Sequence, residues 1–223
     1  SYRDQSLDNA TKAGSSLAFN DEFEIVGGWY SGSGQTGEFG VGDYTDTSRG
    51  RAIRGAIGSR MTLVGKRIAV DPTRAYRISI DYYCVGANQE THVGFAAYDR
   101  DGLVLSGNSG THTYSVLVNA RPAANQWFQD SAVVQSEGSG HQNFPDGTRY
   151  IAPFAYLNYD GEAGARTIVN SFRVDDATET VAAGNSAEAA ATSASTATVR
   201  AGEAATSATS VSYTHLRAHE TST

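Results

Sequence analysis

Tyr76-Arg-Ile-Ser-Ile-Asp-Tyr-Tyr-Cys84 alternates without a break, with Tyr76, Ile78, Ile80, Tyr82 and Cys84 on one side and Arg77, Ser79, Asp81 and Tyr83 on the other. Successive side chains of a strand point to opposite faces, so the first set reads as core and the second as a polar surface. The same period runs through His92–Tyr98, Thr113–Asn119, Trp127–Gln135, Arg149–Asn158 and Arg166–Val174, with earlier strands near Glu22–Trp29 and Gly50–Ile57. Short strands at even spacing predict an all-β domain, a two-sheet sandwich or jelly roll. Asp99-Arg-Asp-Gly102 ahead of Leu103-Val-Leu105 reads as a hairpin turn, Gly102 supplying the positive φ.

Composition sets the limits of that domain within the 223 residues. Nearly all Trp, Tyr, Phe and Ile residues lie between Phe19 and Val174, and only there is a core to be buried. The expected division is an end of a preceding helical stalk over 1–17, the sandwich over 18–178, an Ala-rich stalk over 179–210 and a tail over 211–223. A formal net charge of -7 argues against nucleic acid or an anionic membrane as partner and favours a neutral ligand. No apolar run is long enough to insert into a membrane. The single Cys84, on the core side of its strand, excludes an intrachain disulfide framework and reads as a buried, unreactive thiol.

Residues 182–210 carry 12 Ala and 10 Ser or Thr in 29 positions. Thr180, Ala183, Ala187, Ala190, Ala194, Ala197, Ala201, Ala204, Ala208 and Val211 recur at alternating gaps of three and four, the seam of a coiled coil. Such a seam buries little area per layer, so the stalk needs identical chains beside it and folded domains at its ends. The competing reading of the same composition is a flexible linker. Ala10-Thr-Lys-Ala-Gly14 echoes Ala197-Thr-Val-Arg-Ala-Gly202. After Ser210 the character changes: Val211-Ser-Tyr-Thr-His-Leu-Arg-Ala-His-Glu-Thr221 resembles the translated read-through of a sequencing-library adapter, and is expected to be a disordered or artefactual tail.

Tests for catalytic chemistry are negative or weak. Gly32-Ser-Gly-Gln-Thr-Gly37 has the letters of a dinucleotide loop but lacks the strand before and helix after it. Gly107-Asn-Ser-Gly110 is one residue short of a nucleophile elbow. The acids show no spacing that assembles a hydrolytic pair, and His92, His112 and His141 form no metal-ligand pattern. Sugar binding needs aromatic faces ringed by hydrogen-bonding groups. Tyr83 and Tyr98 are outward by alternation, and Tyr156, Asn158 and Tyr159 lie on a loop rim beside Asp160-Gly161; these five are the candidate carbohydrate contacts. Trp29 and Trp127 read as core more than platform.

Asn20-Asp-Glu-Phe-Glu24 with Gly28-Trp29 resembles the opening strand of the jelly-roll carbohydrate-binding-module superfamily, and Phe172-Arg-Val-Asp-Asp-Ala177 resembles its closing strand. Between them Ile68-Ala-Val-Asp-Pro-Thr-Arg-Ala-Tyr-Arg-Ile-Ser79 is similar to that superfamily's Val-x-Pro-Gly-Lys-x-Tyr-x-Leu-Ser segment, departing from it at Thr73 and Arg74, as Ala177 does at the end. The resemblance implies first and last strands side by side, with Glu24, Asp175 and Asp176 at one edge as ligands for a structural Ca²⁺. Body plus stalk, with tracts such as Ser193-Ala-Ser-Thr-Ala-Thr198, resembles bacteriophage tail-fibre and gene-transfer-agent-like host-recognition proteins, which implies a homotrimer on a virion. The leading expectation is thus a non-enzymatic module for a cell-surface glycan. A spacer domain without a ligand, and a glycan-degrading enzyme with a site between chains, are the alternatives.

Overall fold

The decisive run forms a strand over Ala75–Val85, with Tyr76, Ile78, Ile80, Tyr82 and Cys84 all buried. The computed structural model of the chain describes residues 17, 29–30, 40–43, 51–86, 89–107, 114–138 and 140–220. Its strands are β1 (Trp29–Tyr30), β2 (Gly40–Asp43), β3 (Arg51–Arg54), β4 (Met61–Gly65), β5 (Ile68–Ala69), β6 (Ala75–Val85), β7 (Thr91–Tyr98), β8 (Ser115–Ala120), β9 (Gln126–Gln135), β10 (Tyr150–Leu157) and β11 (Arg166–Asp176). Two antiparallel sheets result: β1-β4-β10-β7-β8 with β5 also on β10, and β2-β3-β11-β6-β9. The chain is therefore mostly β-sheet, a β-sandwich followed by one helix. The expected opening strand at Asn20–Glu24, the Gly32–Gly37 loop and all of the stalk expected over 1–17 except Leu17 lie outside the described residues; Leu17 itself packs against the core and its N–H donates to Val174 O at 2.6 Å, so it belongs to the sandwich.

The inner faces of both sheets meet in one core. β6 contributes Ile78, Ile80 and Tyr82, β7 Val93 and Phe95, β10 Ile151 and Leu157, and β11 Phe172 and Val174. Each such side chain contributes about 1.5–3 kcal/mol by leaving water. Phe144, from the loop before β10, packs edge-on against Tyr76 of one sheet and Phe95 of the other, at 5.9 and 5.7 Å between ring centroids, and so ties the layers together. The Tyr82 hydroxyl donates to Asp130 Oδ2 at 2.5 Å. Asp130 sits on the edge strand β9 opposite Ile80, and an inward carboxylate on an edge discourages further strand pairing. Burial first, then the Asp130 charge, pushes the Cys84 thiol up to about 12, which leaves it protonated and inert as expected.

The turn after β7 forms as read. Gly102 has φ 81°, Asp99 Oδ1 accepts the Asp101 and Leu103 N–H groups at 2.9 Å each, and Leu105 N–H reaches Ala97 O at 2.9 Å. β2, β4 and β5 are not among the expected strands, and β4 is the longest of them. Met61-Thr-Leu-Val-Gly65 is buried at every position, so it carries no alternation to read. Gly94 in β7 lies against β8, and a Cβ there would overlap the Ser115 carbonyl oxygen. Gly94→Ala is expected to cost about 1–3 kcal/mol by driving β8 off β7, visible as a lowered urea midpoint.

In its described part the second unit, which begins at Glu179, is helical: α1 spans Thr178–Glu220. At about 1.5 Å per residue its 43 residues reach roughly 64 Å. The helix does not stop near Ser210 but continues ten residues further; no Gly or Pro follows Gly202 to end it. Its seam positions Ala183 to Ala208 are all exposed. Hydroxyls along it bond back to their own helix, for instance Thr192 Oγ1 to Glu188 O and Thr206 Oγ1 to Gly202 O, at 3.0 and 2.9 Å. Those polar groups are satisfied without a partner. Among the described residues no helix is long and apolar enough to cross a membrane.

Candidate functional site

The outer face of the β1-β4-β10-β7-β8 sheet is built in rows across the strands. Pairing aligns Thr62, Tyr156, His92 and Asn119 in one row, and Val64, Phe154, Gly94 and Val116 in the next. With strands about 4.8 Å apart, four positions cover roughly 14 Å. Beside these rows lies a groove of about 390 Å³ lined by His92, Tyr114, Val116, Asn119, His141 and Tyr159. It takes residues from β7, β8, the β9–β10 loop and the β10–β11 loop.

The rings of the site are locked against one another. His92 stacks on Tyr159 at 4.6 Å and 27°, and Tyr156 meets Tyr159 at 5.4 Å. The Arg60 guanidinium lies 5.2 Å from the Tyr156 ring and 5.4 Å from the Tyr159 ring, so Tyr159 packs against both an imidazole and a cation. Tyr114 stacks on Phe154 at 4.6 Å and meets Tyr156 at 5.3 Å. Burial, then proximity to Tyr156 and Tyr159, raises the Tyr114 hydroxyl above its ordinary value and keeps it a donor.

A charged brace fixes the imidazole. His92 Nε2–H donates to Glu90 Oε1 at 2.9 Å, since an ionised carboxylate only accepts. Glu90 Oε2 takes Arg121 Nη2 at 2.6 Å, and the same nitrogen reaches Asp160 Oδ2 at 2.9 Å. Tyr159 N–H donates to Glu90 O at 2.9 Å, closing the loop onto the strand. His92 Nδ1 is buried and without a hydrogen-bond partner, as is Thr62 Oγ1 in the same row. The His92 bond first, then the Arg121 charge, holds the Glu90 carboxyl below its ordinary value. A depressed carboxylate contributes stability above its unfolded pKa, about 4.3, and loses it as pH falls through the folded value. The thermal midpoint of the native chain should therefore exceed that of Glu90→Gln at neutral pH, with the gap closing below about pH 4.3.

The five expected sugar contacts do not form one site. Tyr156 and Tyr159 adjoin the groove. Tyr98 shares their sheet face but lies six residues along β7 from His92, about 20 Å away, with Arg67 over its ring at 3.8 Å. Tyr83 faces outward as read, yet on the other sheet, where it packs beside Trp127 at 5.5 Å. Asn158 is fully buried: its Nδ2 donates to Ser59 O and Ala165 O, its Oδ1 accepts Glu162 N–H, and its φ of 50° makes the turn after β10. It braces the loop, and its amide is buried and fully engaged within the protein. His92, Asn119 and His141 were missed as a group because separate strands and a loop bring them together. Their signal in the sequence was only outward register for the first two.

The expected Ca²⁺ set does not fit in its described part. Asp176 Oδ2 is 2.5 Å from Arg74 Nη2 and its Oδ1 accepts the Thr178 N–H, while Asp175 Oδ1 lies 3.3 Å from Arg173 Nη2. Neighbours on a strand point to opposite faces, so the two carboxylates diverge, each beside a guanidinium. Glu24 lies outside the described residues. Among the described residues no three His, Cys, Asp or Glu side chains gather to hold a metal.

No family model matches the chain, and no curated protein matches it in sequence. Solved structures match it in fold. The N-terminal CBM22-1-CBM22-2 tandem domain from Paenibacillus barcinonensis Xyn10C gives a TM-score of 0.50 at 14% identity, over 76% of this chain and 51% of that one. The Clostridium thermocellum CBM22-1-GH10 modules of endo-1,4-β-D-xylanase 10B, complexed with xylohexaose, give 0.48 at 11%, over 71% and 27%. The family 11 carbohydrate-binding module from Clostridium thermocellum, in complex with a β-1,3-1,4-mixed-linked tetrasaccharide, gives 0.46 at 17%, over 70% and 93%. The chain spans about half and about a quarter of the first two. At these identities the likeness is one of fold, a β-sandwich of the carbohydrate-binding-module kind.

Proposed function

We propose that the sandwich is a non-enzymatic carbohydrate-binding or adhesive module that recognises a cell-surface glycan, carried by a homotrimeric fibre of phage-tail type on the virion. The observation that carries the reading is the groove beside His92 and Tyr159, where aromatic rings, an amide and imidazoles converge on an outer sheet face. That mixture suits the apolar C–H faces and hydroxyls of a sugar. The fold shared with carbohydrate-binding modules supports it without specifying a sugar. Against an enzyme stands the state of the nearest acids: Glu90 and Asp160 both face Arg121, and Glu90 is held ionised, the reverse of a general acid. A glycan array probed with the full chain tests the reading; a silent array with an intact, folded chain leaves the spacer role.

The stalk half of the reading rests on α1. Its Ala seam is exposed in the single chain and gains stability by packing against copies of itself. Sedimentation of the full chain is expected to give a trimer, and the pair Ala194→Asp with Ala201→Asp a monomer, because six carboxylates would enter one seam. A native chain that sediments as a monomer removes the trimer from the account.

A further inference from the structure

We infer that the groove takes the end of a glycan, one or two sugar units, and not an internal stretch of a long chain. This rests on the glycan-binding reading above and narrows its ligand. The ground for it is how the rest of the same sheet face is filled. Toward β4 the groove is walled by Tyr159, with Tyr156 beside it and Arg60 lying over both rings. Along the strands the way is closed by Tyr114 stacked on Phe154, and beyond them Val64 and Ala152 are buried in the same small apolar cluster. Farther still, Arg67 covers the Tyr98 ring.

The aromatic faces that a polysaccharide would need to lie along the sheet are thus occupied by the protein's own side chains. What stays open is the groove at β8, and its volume of about 390 Å³ lies at the lower end of the roughly 300–1,000 Å³ that small-ligand pockets occupy. Among the described residues, the direction left open to a bound sugar is outward past β8. Affinity is then set by the terminal units and gains little from further length.

The test is a printed array of defined gluco-, xylo-, galacto- and manno-oligosaccharides, one to six units long, read with the full chain, followed by calorimetry on each series that binds. Affinity is expected to level off by the disaccharide, changing by less than about threefold up to the hexasaccharide. Arg67→Ala, which uncovers Tyr98 at the far end of the face, should leave it unchanged. A rise of about tenfold or more from two units to six, or a changed affinity in Arg67→Ala, overturns terminal recognition while leaving glycan binding in place. Binding to no series at any length overturns both.

Discussion

Phe172→Ala is expected to lower the unfolding free energy of the sandwich by about 3–5 kcal/mol. Phe172 is fully buried in β11, opposite Ile80 of β6, in the cluster that joins the inner faces of both sheets. Truncation removes the ring's transfer free energy and leaves a cavity that neighbouring strands, fixed by their ladders, fill only in part. Domains of this size hold about 5–15 kcal/mol in all, so the variant should sit close to its unfolding transition at room temperature. Urea titration followed by circular dichroism reads the loss. Phe128→Ala, at the partly buried rim of the same core, should cost clearly less. A loss below about 1 kcal/mol for Phe172→Ala would mean that β11 is not central to the core.

The largest effect on binding is expected from Tyr159→Ala. Its ring forms one wall of the groove, stacks on the His92 imidazole and has the Arg60 guanidinium 5.4 Å from its centroid. Removing it frees His92, Arg60 and Tyr156 from one arrangement, and affinity should fall at least tenfold, about 1.4 kcal/mol or more, the size of a hot-spot loss. The thermal midpoint should move little, because Tyr159 is only half-buried. Tyr159→Phe separates ring from hydroxyl: recovery to within about threefold assigns the effect to the stack, since a lost hydrogen bond costs about 1 kcal/mol. Equal loss in both variants would assign it to the hydroxyl.

Much of the fold was legible because the strands of the β2-β3-β11-β6-β9 sheet turn one face to the core, most plainly in β6. β6 buries Tyr76, Ile78, Ile80, Tyr82 and Cys84 while Arg77, Asp81 and Tyr83 stay exposed or half-buried, and that pattern sits in the sequence itself. In β7 only the ends, His92 and Tyr98, show it, because Gly94 and Ala96 on the outer face are buried too. β4 was not legible, because a strand covered on both faces has no period to display. The site was hidden for another reason. Alternation says that Tyr83 and Tyr98 face outward, but only strand order says that they face outward from different sheets. Asn158 stood beside the right loop, yet its amide is consumed by Ser59, Glu162 and Ala165, partners set by the tertiary fold. His92 and Asn119 become neighbours through the β7–β8 register, which a bulge shifts at Val93/Gly94. The end of α1 was misjudged because the change of composition after Ser210 brings no helix-breaking residue.

The most direct test of the account is amide chemical-shift mapping of the full chain titrated with the oligosaccharide that binds best on the array. Shifts are expected to concentrate at Asn119, His141, Tyr159 and the β7–β8 rows, with Gln129, Ser131 and Tyr83 on the opposite sheet unmoved. Shifts centred on Tyr83 and Trp127, with the groove silent, would contradict it.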